Sequence, residues 1–256
     1  MERNRIENAL VTGATSGIGE ACAVRLAECG ARHVFFCGRD EARLAAVAEK
    51  IRAAGAEPHP QKLDVADADA VRAWLEAADA AAPLDLVFAN AGIAAPGPDE
   101  ASQRRTFAVD VGGVVNTVLP AVALYRKPGV ARAARRLALT SSITGYHGMP
   151  QCPAYSASKA FVKAWGAALR GSLRREGISV TTVCPGFVRS RITDANTCPM
   201  PFFMEAPAAA RVIVRGIGKG RGLVAFPWPM RFSMWLLSAL PEALSERLFR
   251  LLPEKA

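Results

Sequence analysis

The sequence predicts an α/β fold: one doubly wound, seven-stranded parallel sheet with helices on both faces. Short apolar runs alternate with longer amphipathic or alanine-rich runs along the chain, as strands and helices do in such a fold. The 256 residues accommodate seven strands and six connecting helices, with none left for a second domain. We therefore expect a single domain, 1–228, which includes an irregular flap at about 187–206 and continues into a short helical extension, 229–256.

The predicted elements follow one another in regular alternation. Each predicted strand ends in small or polar residues, and the seven strands are 9–12, 33–37, 57–65, 84–90, 136–142, 178–186 and 223–227. The predicted helices are the longer runs between them: 17–30, 40–55, 67–81, 101–126, 154–176 and 207–218. Right-handed crossovers bring the carboxyl ends of parallel strands to one edge of the sheet. We expect a ligand site along that edge.

Composition excludes several other classes of protein. A hydrophobic content of 51% and a charged content of 21% are typical of a globular chain rather than a disordered one. No apolar run approaches the roughly 18 residues that a membrane span needs, and the first residues lack a signal-peptide pattern, so we expect a cytoplasmic protein. The net charge is +9, but the densest basic run, 126–136, lacks interleaved aromatic residues. We therefore expect no nucleic-acid partner.

The cysteines and histidines do not form a recognisable metal motif. Six cysteines occur without a C-x-x-C pair, and none of the three histidines is spaced with them as a ligand would be. The sequence therefore predicts no metal site, and all six cysteines are interpreted as structural or incidental thiols.

A glycine turn follows the first predicted strand. Gly13 allows a tight turn, Gly17 lets the backbone approach a pyrophosphate, and Gly19 permits close packing of the following helix. Phosphates would then face the helix N-terminus, where N–H groups are free and the helix dipole is positive. This strand–turn–helix unit predicts a Rossmann-type dinucleotide site.

The glycine spacing T-G-x-x-x-G-x-G resembles that of the classical short-chain dehydrogenase/reductase family. The resemblance covers about residues 6–226 and continues, in family order, at Asn90-Ala91-Gly92, Ser142, Tyr155 with Lys159, and Pro185-Gly186. It implies an oxidoreductase that transfers a hydride between nicotinamide C4 and a ketone, an aldehyde or a secondary alcohol. The predicted cofactor-binding residues are Gly13, Thr15, Ser16, Gly17, Ile18, Gly19, Arg39, Asp64, Val65, Asn90, Ala91, Gly92, Tyr155, Lys159, Pro185, Gly186, Val188 and Ser190.

The end of the second strand bears on which nicotinamide cofactor is used. An NAD-preferring fold usually places an acidic residue there, but the family position is Gly38 and Arg39 follows it. A guanidinium suits a 2′-phosphate, and Thr15 or Ser16 could donate another hydrogen bond. The rival is Asp40, which stands where a helix N-cap is expected. We predict NADP(H), with NAD(H) as the alternative.

Tyr155 and Lys159 are the predicted proton-transfer pair. They lie one turn apart on a helix and so project from one face. The ammonium and the oxidised nicotinamide both favour phenolate, so we expect a lowered pKa for Tyr155. The resemblance adds that Lys159 binds the ribose hydroxyls of the nicotinamide. Tyr146 is a competing phenol, but the residue four positions later is Pro150, which carries no charge. The alternative is a core tyrosine with an exposed lysine.

Two further positions complete the predicted catalytic set. The resemblance makes Ser142 the residue that binds the substrate oxygen, and strand alternation points its competitor Ser141 the other way. The family's fourth catalytic residue is an asparagine, and Asp110 stands in its place. An aspartate can keep the helix distortion of the family, but it adds a charge near Lys159. Asn116 lies six residues on and faces another side of the helix.

The remaining predictions concern the substrate and the C-terminus. The predicted substrate-binding residues are Ser142, Tyr146, His147 and Phe187, and the apolar flap suggests a hydrophobic carbonyl compound. The C-terminal extension is amphipathic, which fits a subunit interface or a lid better than a peripheral membrane contact. We expect a homodimer or homotetramer. Two alternative functions stay open: an NAD-dependent secondary alcohol dehydrogenase, and a cofactor-binding regulatory protein with a weakened active site.

Overall fold

The fold is a seven-stranded parallel sheet in the order β3-β2-β1-β4-β5-β6-β7, which confirms the predicted fold class. It was obtained as a computed structural model, which describes residues 6–94, 99–194, 199–241, 244, 245 and 247. The strands are β1 (Asn8–Val11), β2 (His33–Gly38), β3 (Glu57–Lys62), β4 (Leu86–Ala89), β5 (Arg136–Thr140), β6 (Ser179–Pro185) and β7 (Leu223–Phe226).

Helices cover both faces of this sheet. They are α1 (Gly17–Glu28), α2 (Glu41–Ala53), α3 (Ala68–Ala81), α4 (Glu100–Phe107), α5 (Gly113–Tyr125), α6 (Pro153–Leu173), α7 (Arg191–Asp194), α8 (Ala206–Gly218) and α9 (Trp228–Ala239). Strand order reverses between β1 and β4, and a crevice at such a switch point is where open parallel sheets bind ligands.

Each face of the sheet has its own apolar core. Alternation along the strands sends Val11 and Phe36 into the core that contains α1, α2 and α8. Leu10 and Phe35 point into the opposite core, against α3, α5 and α6. The central strands β1, β4 and β5 are almost wholly buried, as strands covered on both faces must be. The two cores hold the carboxyl ends of these strands rigidly at one edge.

Strand β3 is the exposed edge of the sheet. Most of its residues are exposed or half-buried, and Pro58 and Pro60 remove backbone donors from it. Prolines are tolerated on an edge strand and discourage pairing with another chain. The sequence predicts a longer strand, 57–65, but pairing with β2 ends at Lys62.

The helix predicted over 101–126 is built from three segments. α4 passes into a π-helical turn, Ala108–Gly112, which passes into α5. Within the described residues this is the one stretch, Glu100–Tyr125, that is long and apolar enough to cross a membrane. It packs against α3 and α6, and 56% of its most apolar window is buried inside the protein, as in a core helix. Helix α9 begins the predicted extension, whose later part falls largely outside the described residues, and the division at 228/229 stays a prediction.

Candidate active site

The glycine turn joins β1 to α1 at the carboxyl edge of the sheet. Gly13 and Gly17 have φ angles of 66° and 59°, in the left-handed region that favours glycine. A Cβ on Gly19 would lie 2.3 Å from the carbonyl oxygen of Gly13, so this position admits only glycine, as predicted for close helix packing. A Cβ on Gly17 would lie 2.7 Å from the Cβ of Ser190, which brings the turn against the loop after β6.

The N-terminus of α1 differs from those of the next three helices. Aspartate side chains cap α2, α3 and α4 by accepting backbone N–H bonds, whereas the N-cap of α1, Ser16, makes no such bond. The first N–H groups of α1 are therefore left without a side-chain acceptor, and the helix dipole is positive there. Ser16, Ile18 and Gly19 line a cavity at this point. An anion such as a pyrophosphate fits these groups.

A cavity of about 400 Å³ runs from this turn along the strand ends. It is lined by all the predicted cofactor-binding residues except Gly17, and by Ser142. The residues Cys37, Leu63, Ile93, Ala94, Val109, Thr140, Ser141, Arg191, Ile192 and Thr193 also line it and were not predicted. Most of these lie one or two positions from a predicted residue, so the predicted strand ends could have indicated them.

Asn90 joins three strands beneath the cavity. Its backbone N–H donates to Oγ1 of Thr12 (3.0 Å), and its side-chain amide donates to the carbonyl oxygen of Thr12 (3.1 Å). Its Oδ1 accepts from Oγ1 of Thr140 (3.1 Å). The ends of β1, β4 and β5 are thereby fixed to one another. Asn90 was predicted as a cofactor-binding residue, and its contacts with Thr12 and Thr140 were not. Both threonines lie at the carboxyl ends of strands, which is the feature of the sequence that could have indicated them.

Thr15 occupies the space beside the end of β2. A Cβ on Gly38 would lie 2.2 Å from Cγ2 of Thr15, so the position where an acidic side chain is typical of NAD binding admits no side chain. Arg39 lines the cavity next to it with its side chain 57% exposed. Asp40 caps α2 by accepting from the backbone N–H of Arg43 (3.1 Å), as predicted for an N-cap.

Asp64 lies between two guanidinium groups at this end of the cavity. Its Oδ2 accepts from Nη2 of Arg105 (2.8 Å) and lies 3.9 Å from Nη1 of Arg39. Arg105 lies on α4 and was not predicted, because forty-one residues separate it from Asp64 in the chain. The pairing of Asp64 with Arg105 leaves the guanidinium of Arg39 only loosely held.

Ser142, Tyr155 and Lys159 meet at the opposite end of the cavity. The Ser142 side chain is near enough to lower the pKa of the Tyr155 hydroxyl, and Nζ of Lys159 lies 5.3 Å from the centre of the Tyr155 ring. Oγ of Ser141 instead donates to the carbonyl oxygen of Lys159 (2.6 Å). The two serines thus direct their hydroxyls differently, as strand alternation predicts. Lys159 is buried, which argues against the alternative of a core tyrosine with an exposed lysine.

Asp110 forms a buried ion pair with Lys159. Its Oδ2 lies 3.0 Å from Nζ of Lys159, and the two side chains are 0% and 3% exposed. Its Oδ1 accepts from the backbone N–H of Ile93 (2.7 Å), and Nζ of Lys159 also donates to the carbonyl oxygen of Thr140 (3.4 Å). Asp110 lies within the π-helical turn, so the helix distortion expected here is present. The predicted charge near Lys159 is in direct contact with it.

Burial dominates the protonation of Tyr155. Removal from water raises the pKa of the phenol, the positive charge of Lys159 lowers it, and the carboxylate of Asp110 raises it again. The expected lowered pKa is therefore wrong for the protein by itself: Lys159 acts in the predicted direction but is outweighed. Burial lowers the pKa of Lys159, yet Asp110 and Tyr155 more than offset this and raise it above its usual value. Burial also raises the pKa of Asp110, against the charge of Lys159.

The chain matches a known protein family over most of its length. A profile described as short chain dehydrogenase matches residues 7–199, which include the glycine turn, Asn90, Ser142, Tyr155 and Lys159. The chain belongs to the short-chain dehydrogenase family.

Relatives of this short-chain dehydrogenase are oxidoreductases. An uncharacterized oxidoreductase from Myxococcus xanthus is 38% identical over 241 residues, covering 92% of this chain and 93% of the relative. A Burkholderia phymatum short chain dehydrogenase/reductase in complex with NAD has a TM-score of 0.83 at 25% identity, covering 100% of this chain and 99% of its own. A 3-ketoacyl-ACP reductase from Sinorhizobium meliloti has a TM-score of 0.74 at 27% identity, covering 88% and 99%. The protein is an oxidoreductase of this family that uses a nicotinamide cofactor and a small-molecule substrate.

The remaining predicted residues lie around the dehydrogenase site rather than on its cavity. Nζ of Lys163 lies 4.1 Å from the ring centre of Tyr146. Tyr146, His147 and Phe187 all lie outside the cavity lining. Their role in substrate binding stays a prediction. Asn116 donates to the carbonyl oxygen of Val65 (3.0 Å), away from Lys159 as expected. Within the flap, 195–198 fall outside the described residues, and so does Cys198.

Proposed function

We propose that this protein is an NADP(H)-dependent short-chain dehydrogenase that reduces a hydrophobic ketone or aldehyde, or oxidises the corresponding secondary alcohol. One observation carries the proposal: Ser142, Tyr155 and Lys159 line the same cavity as the uncapped N-terminus of α1. These residues would hold a dinucleotide, with its phosphates at the helix N-terminus and its nicotinamide near Tyr155.

The proposed mechanism assigns one task to each residue. The bound cofactor supplies or accepts a hydride at nicotinamide C4. Ser142 and Tyr155 line the same cavity, and Ser142 is near enough to lower the pKa of Tyr155, so a substrate oxygen bound between their hydroxyls would accept from both. Tyr155 then donates its proton to that oxygen during reduction. The ammonium of Lys159 stabilises the phenolate that is left.

The protonation of Tyr155 favours the reductive direction near neutral pH. Because burial raises its pKa, the phenol keeps its proton at neutral pH, which is the acid form that reduction needs. Oxidation of an alcohol needs the phenolate, so its rate should rise with pH until the pKa of Tyr155 is passed. We therefore expect the pH–rate profile of oxidation to lie on the alkaline side of the profile of reduction.

The mechanism is tested by Tyr155→Phe. This change removes the proton donor but keeps the ring, so we expect turnover to fall by about 10²–10⁴-fold while NADPH still binds. Steady-state NADPH oxidation and a fluorescence titration measure the two properties. Tyr146→Phe is the matched control, because it removes a phenol outside the cavity lining, and its kcat should stay within tenfold of that of the parent. Full turnover by Tyr155→Phe contradicts the mechanism.

The preference for NADP(H) rests on the end of β2. Thr15 fills the space where an acidic side chain would contact a ribose 2′-hydroxyl, and Arg39 lines the cavity beside it. A guanidinium binds a phosphate through charge-assisted bonds and gains less from a neutral hydroxyl. The long 3.9 Å contact with Asp64 leaves Arg39 available for such a phosphate.

Arg39→Ala tests the cofactor preference. We expect the Kd for NADPH to rise by about ten- to a hundredfold, the loss of one charged hydrogen-bonding group, while the Kd for NADH changes little. Arg43→Ala is the control, because Arg43 is also an arginine near β2, partly exposed, but lies outside the cavity lining. An equal loss of both affinities in Arg39→Ala contradicts the preference, and a higher NADH affinity in the parent supports the NAD-dependent alternative.

The proposed substrate is an apolar carbonyl compound. Ile93, Val188 and Ile192 line the cavity, and the similar Sinorhizobium meliloti protein is described as a 3-ketoacyl-ACP reductase. A panel of ketones graded in chain length, assayed by NADPH oxidation, should show kcat/KM rising with apolar length. We also propose that the enzyme acts in the cytoplasm.

A second candidate function is favoured by the Asp110–Lys159 ion pair. A protein that binds the cofactor without turnover could regulate through that binding, and a carboxylate that occupies Lys159 weakens the proton-transfer pair. Such a protein would bind NADPH but would not oxidise it with any ketone in the panel. Turnover of any member at rates that Tyr155→Phe abolishes excludes this candidate.

A further inference from the structure

Two histidines and a glutamate meet at the edge of the sheet far from the active site. His33 begins β2, Glu57 begins β3, and His59 is the third residue of β3. The parallel register pairs His33 with Glu57 and Phe35 with His59, so all four side chains project from one face. Among the described residues, this is the one group of three histidine, cysteine or acidic side chains whose ligand atoms lie within 4.8 Å of one another.

The donor atoms are already spaced as they would be around a metal ion. Nδ1 of His33 lies 3.1 Å from Nε2 of His59 and 3.2 Å from Oε2 of Glu57, and Nε2 of His59 lies 3.7 Å from Oε1 of Glu57. Two ligands at zinc–nitrogen distances in a tetrahedral site are separated by about 3.3 Å. A cation at the centre of the three donors therefore needs only small side-chain adjustments.

Neighbouring groups hold this arrangement and leave it open. The ring of Phe35 stacks on that of His59 at 4.3 Å between centroids, which fixes the plane of the imidazole. Within the described part of the chain, the ion pairs of Glu57 are those with the two histidines, so no lysine or arginine competes for its carboxylate. His33 and His59 are about one-third exposed and Glu57 is 62% exposed. Solvent can therefore supply the remaining ligand.

We propose that His33, Glu57 and His59 form a surface site for a divalent transition-metal ion of the zinc class. Two imidazoles and one carboxylate are a borderline-soft ligand set that suits zinc, copper or nickel rather than magnesium or calcium. The site lies at the amino ends of β2 and β3, whereas the cofactor cavity reaches Gly38 at the other end of β2, about 16 Å along the strand. The metal would therefore take no part in hydride transfer.

The proposed effect of the metal is to fasten an edge strand. Among the described strands, β3 is an edge strand that pairs with β2 on one side and has no strand on the other. A metal that binds His33 of β2 together with Glu57 and His59 of β3 would cross-link the two strands. Because the ion binds the folded chain and not the unfolded one, it stabilises the fold by mass action.

The test uses the full-length protein after removal of metals with a chelator. Titration with zinc chloride, monitored by calorimetry, should show that one zinc ion binds per chain. The midpoint of thermal unfolding should rise as the zinc concentration is raised. His59→Ala should weaken zinc binding by at least about 100-fold, because even residues that only support the metal ligands cost up to about 100-fold when they are changed. The variant should also show no rise of the unfolding midpoint with zinc. Glu57→Gln, which keeps the shape of the side chain but removes its charge, should weaken binding less.

His147→Ala is the matched control, because it removes the one histidine outside the cluster, and it should bind zinc like the parent. NADPH binding by each variant shows that it is folded, and His59→Gln replaces His59→Ala if that variant is not. The proposal is wrong if the parent binds no zinc up to millimolar concentration. It is equally wrong if the folded His59 variant retains the affinity of the parent.

Discussion

Asp110 puts a second charge beside the proposed proton donor. Its carboxylate lies 3.0 Å from the ammonium of Lys159 and raises the pKa of both Lys159 and Tyr155. At the same time its Oδ1 accepts from the N–H of Ile93 and so holds the loop after β4. Asp110 is therefore a positioning residue for Lys159, and its charge opposes the formation of phenolate.

Asp110→Asn separates the charge of this residue from its hydrogen bond. The amide oxygen can still accept from Ile93, but the negative charge is lost, so the pKa of Tyr155 should fall. Oxidation of a secondary alcohol rises with pH as Tyr155 ionises, and its midpoint in the variant should therefore move to lower pH. The pH profile of kcat/KM measures this midpoint.

The control for Asp110→Asn is the same change at a helix cap. Asp67→Asn removes a carboxylate at the N-cap of α3, where asparagine caps about equally well, so the pH profile should not move. A profile of Asp110→Asn that matches that of the parent, or moves to higher pH, contradicts the electrostatic role. A merely structural role for Asp110 would reduce kcat without moving the midpoint.

Two glycines of α6 show how closely this helix approaches the sheet. A Cβ on Gly166 would lie 2.3 Å from Oγ1 of Thr182 on β6, whereas a Cβ on Gly171 would meet nothing within 4 Å. α6 also carries Tyr155 and Lys159, so its distance from the sheet sets the position of the catalytic pair. The packing of α6 on β6 therefore requires a glycine at position 166 but not at position 171.

Alanine substitutions at these two positions should change stability in opposite directions. Gly166→Ala should lower the free energy of unfolding by about 1–3 kcal/mol, because the added methyl group forces α6 away from β6. Gly171→Ala, in the same helix but exposed, should raise it by up to about 1 kcal/mol, because alanine favours the helix. Thermal or urea unfolding of both variants measures the difference. Equal stabilities would show that α6 is not pressed against β6 as the structure has it.

At the scale of the whole molecule, α9 leaves apolar side chains in water. Trp228, Phe232 and Trp235 are 76%, 55% and 54% exposed, and α9 has no buried residue. Its inner side contacts β7 and the turn at Ile143–Tyr146, near the cavity. Exposed aromatic groups in such a row are typical of an interface. We expect a second copy of the chain to cover them in a homodimer or homotetramer.

The double variant Phe232→Glu/Trp235→Glu tests this assembly. Two carboxylates cannot be buried against another subunit without a large desolvation cost, so the molar mass by light scattering should fall to that of one chain. Ser233→Glu is the control, because it adds a charge to the same helix without removing an aromatic group. An unchanged mass together with an altered KM would favour a lid over the cavity. Vesicle binding by the parent that the double variant loses would favour membrane contact.

The fold class, the order of the strands along the chain and most of the residues that line the cavity could be predicted from the sequence. Those features depend on neighbours in the chain: alternation within strands, glycines at left-handed turn positions, and the one-turn spacing of Tyr155 and Lys159. The N-cap role of Asp40 was equally local.

Features that depend on distant parts of the chain could not be predicted from the sequence. Arg105 reaches Asp64 from forty-one residues away, and His33 meets His59 because of the register between β2 and β3. The raised pKa of Tyr155 has the same origin, since burial is produced by the whole fold and outweighs the lysine one turn away. Spacing in the sequence gives only the separation of residues along the chain. Burial and the geometry of a ligand site depend on which helices and strands pack next to those residues.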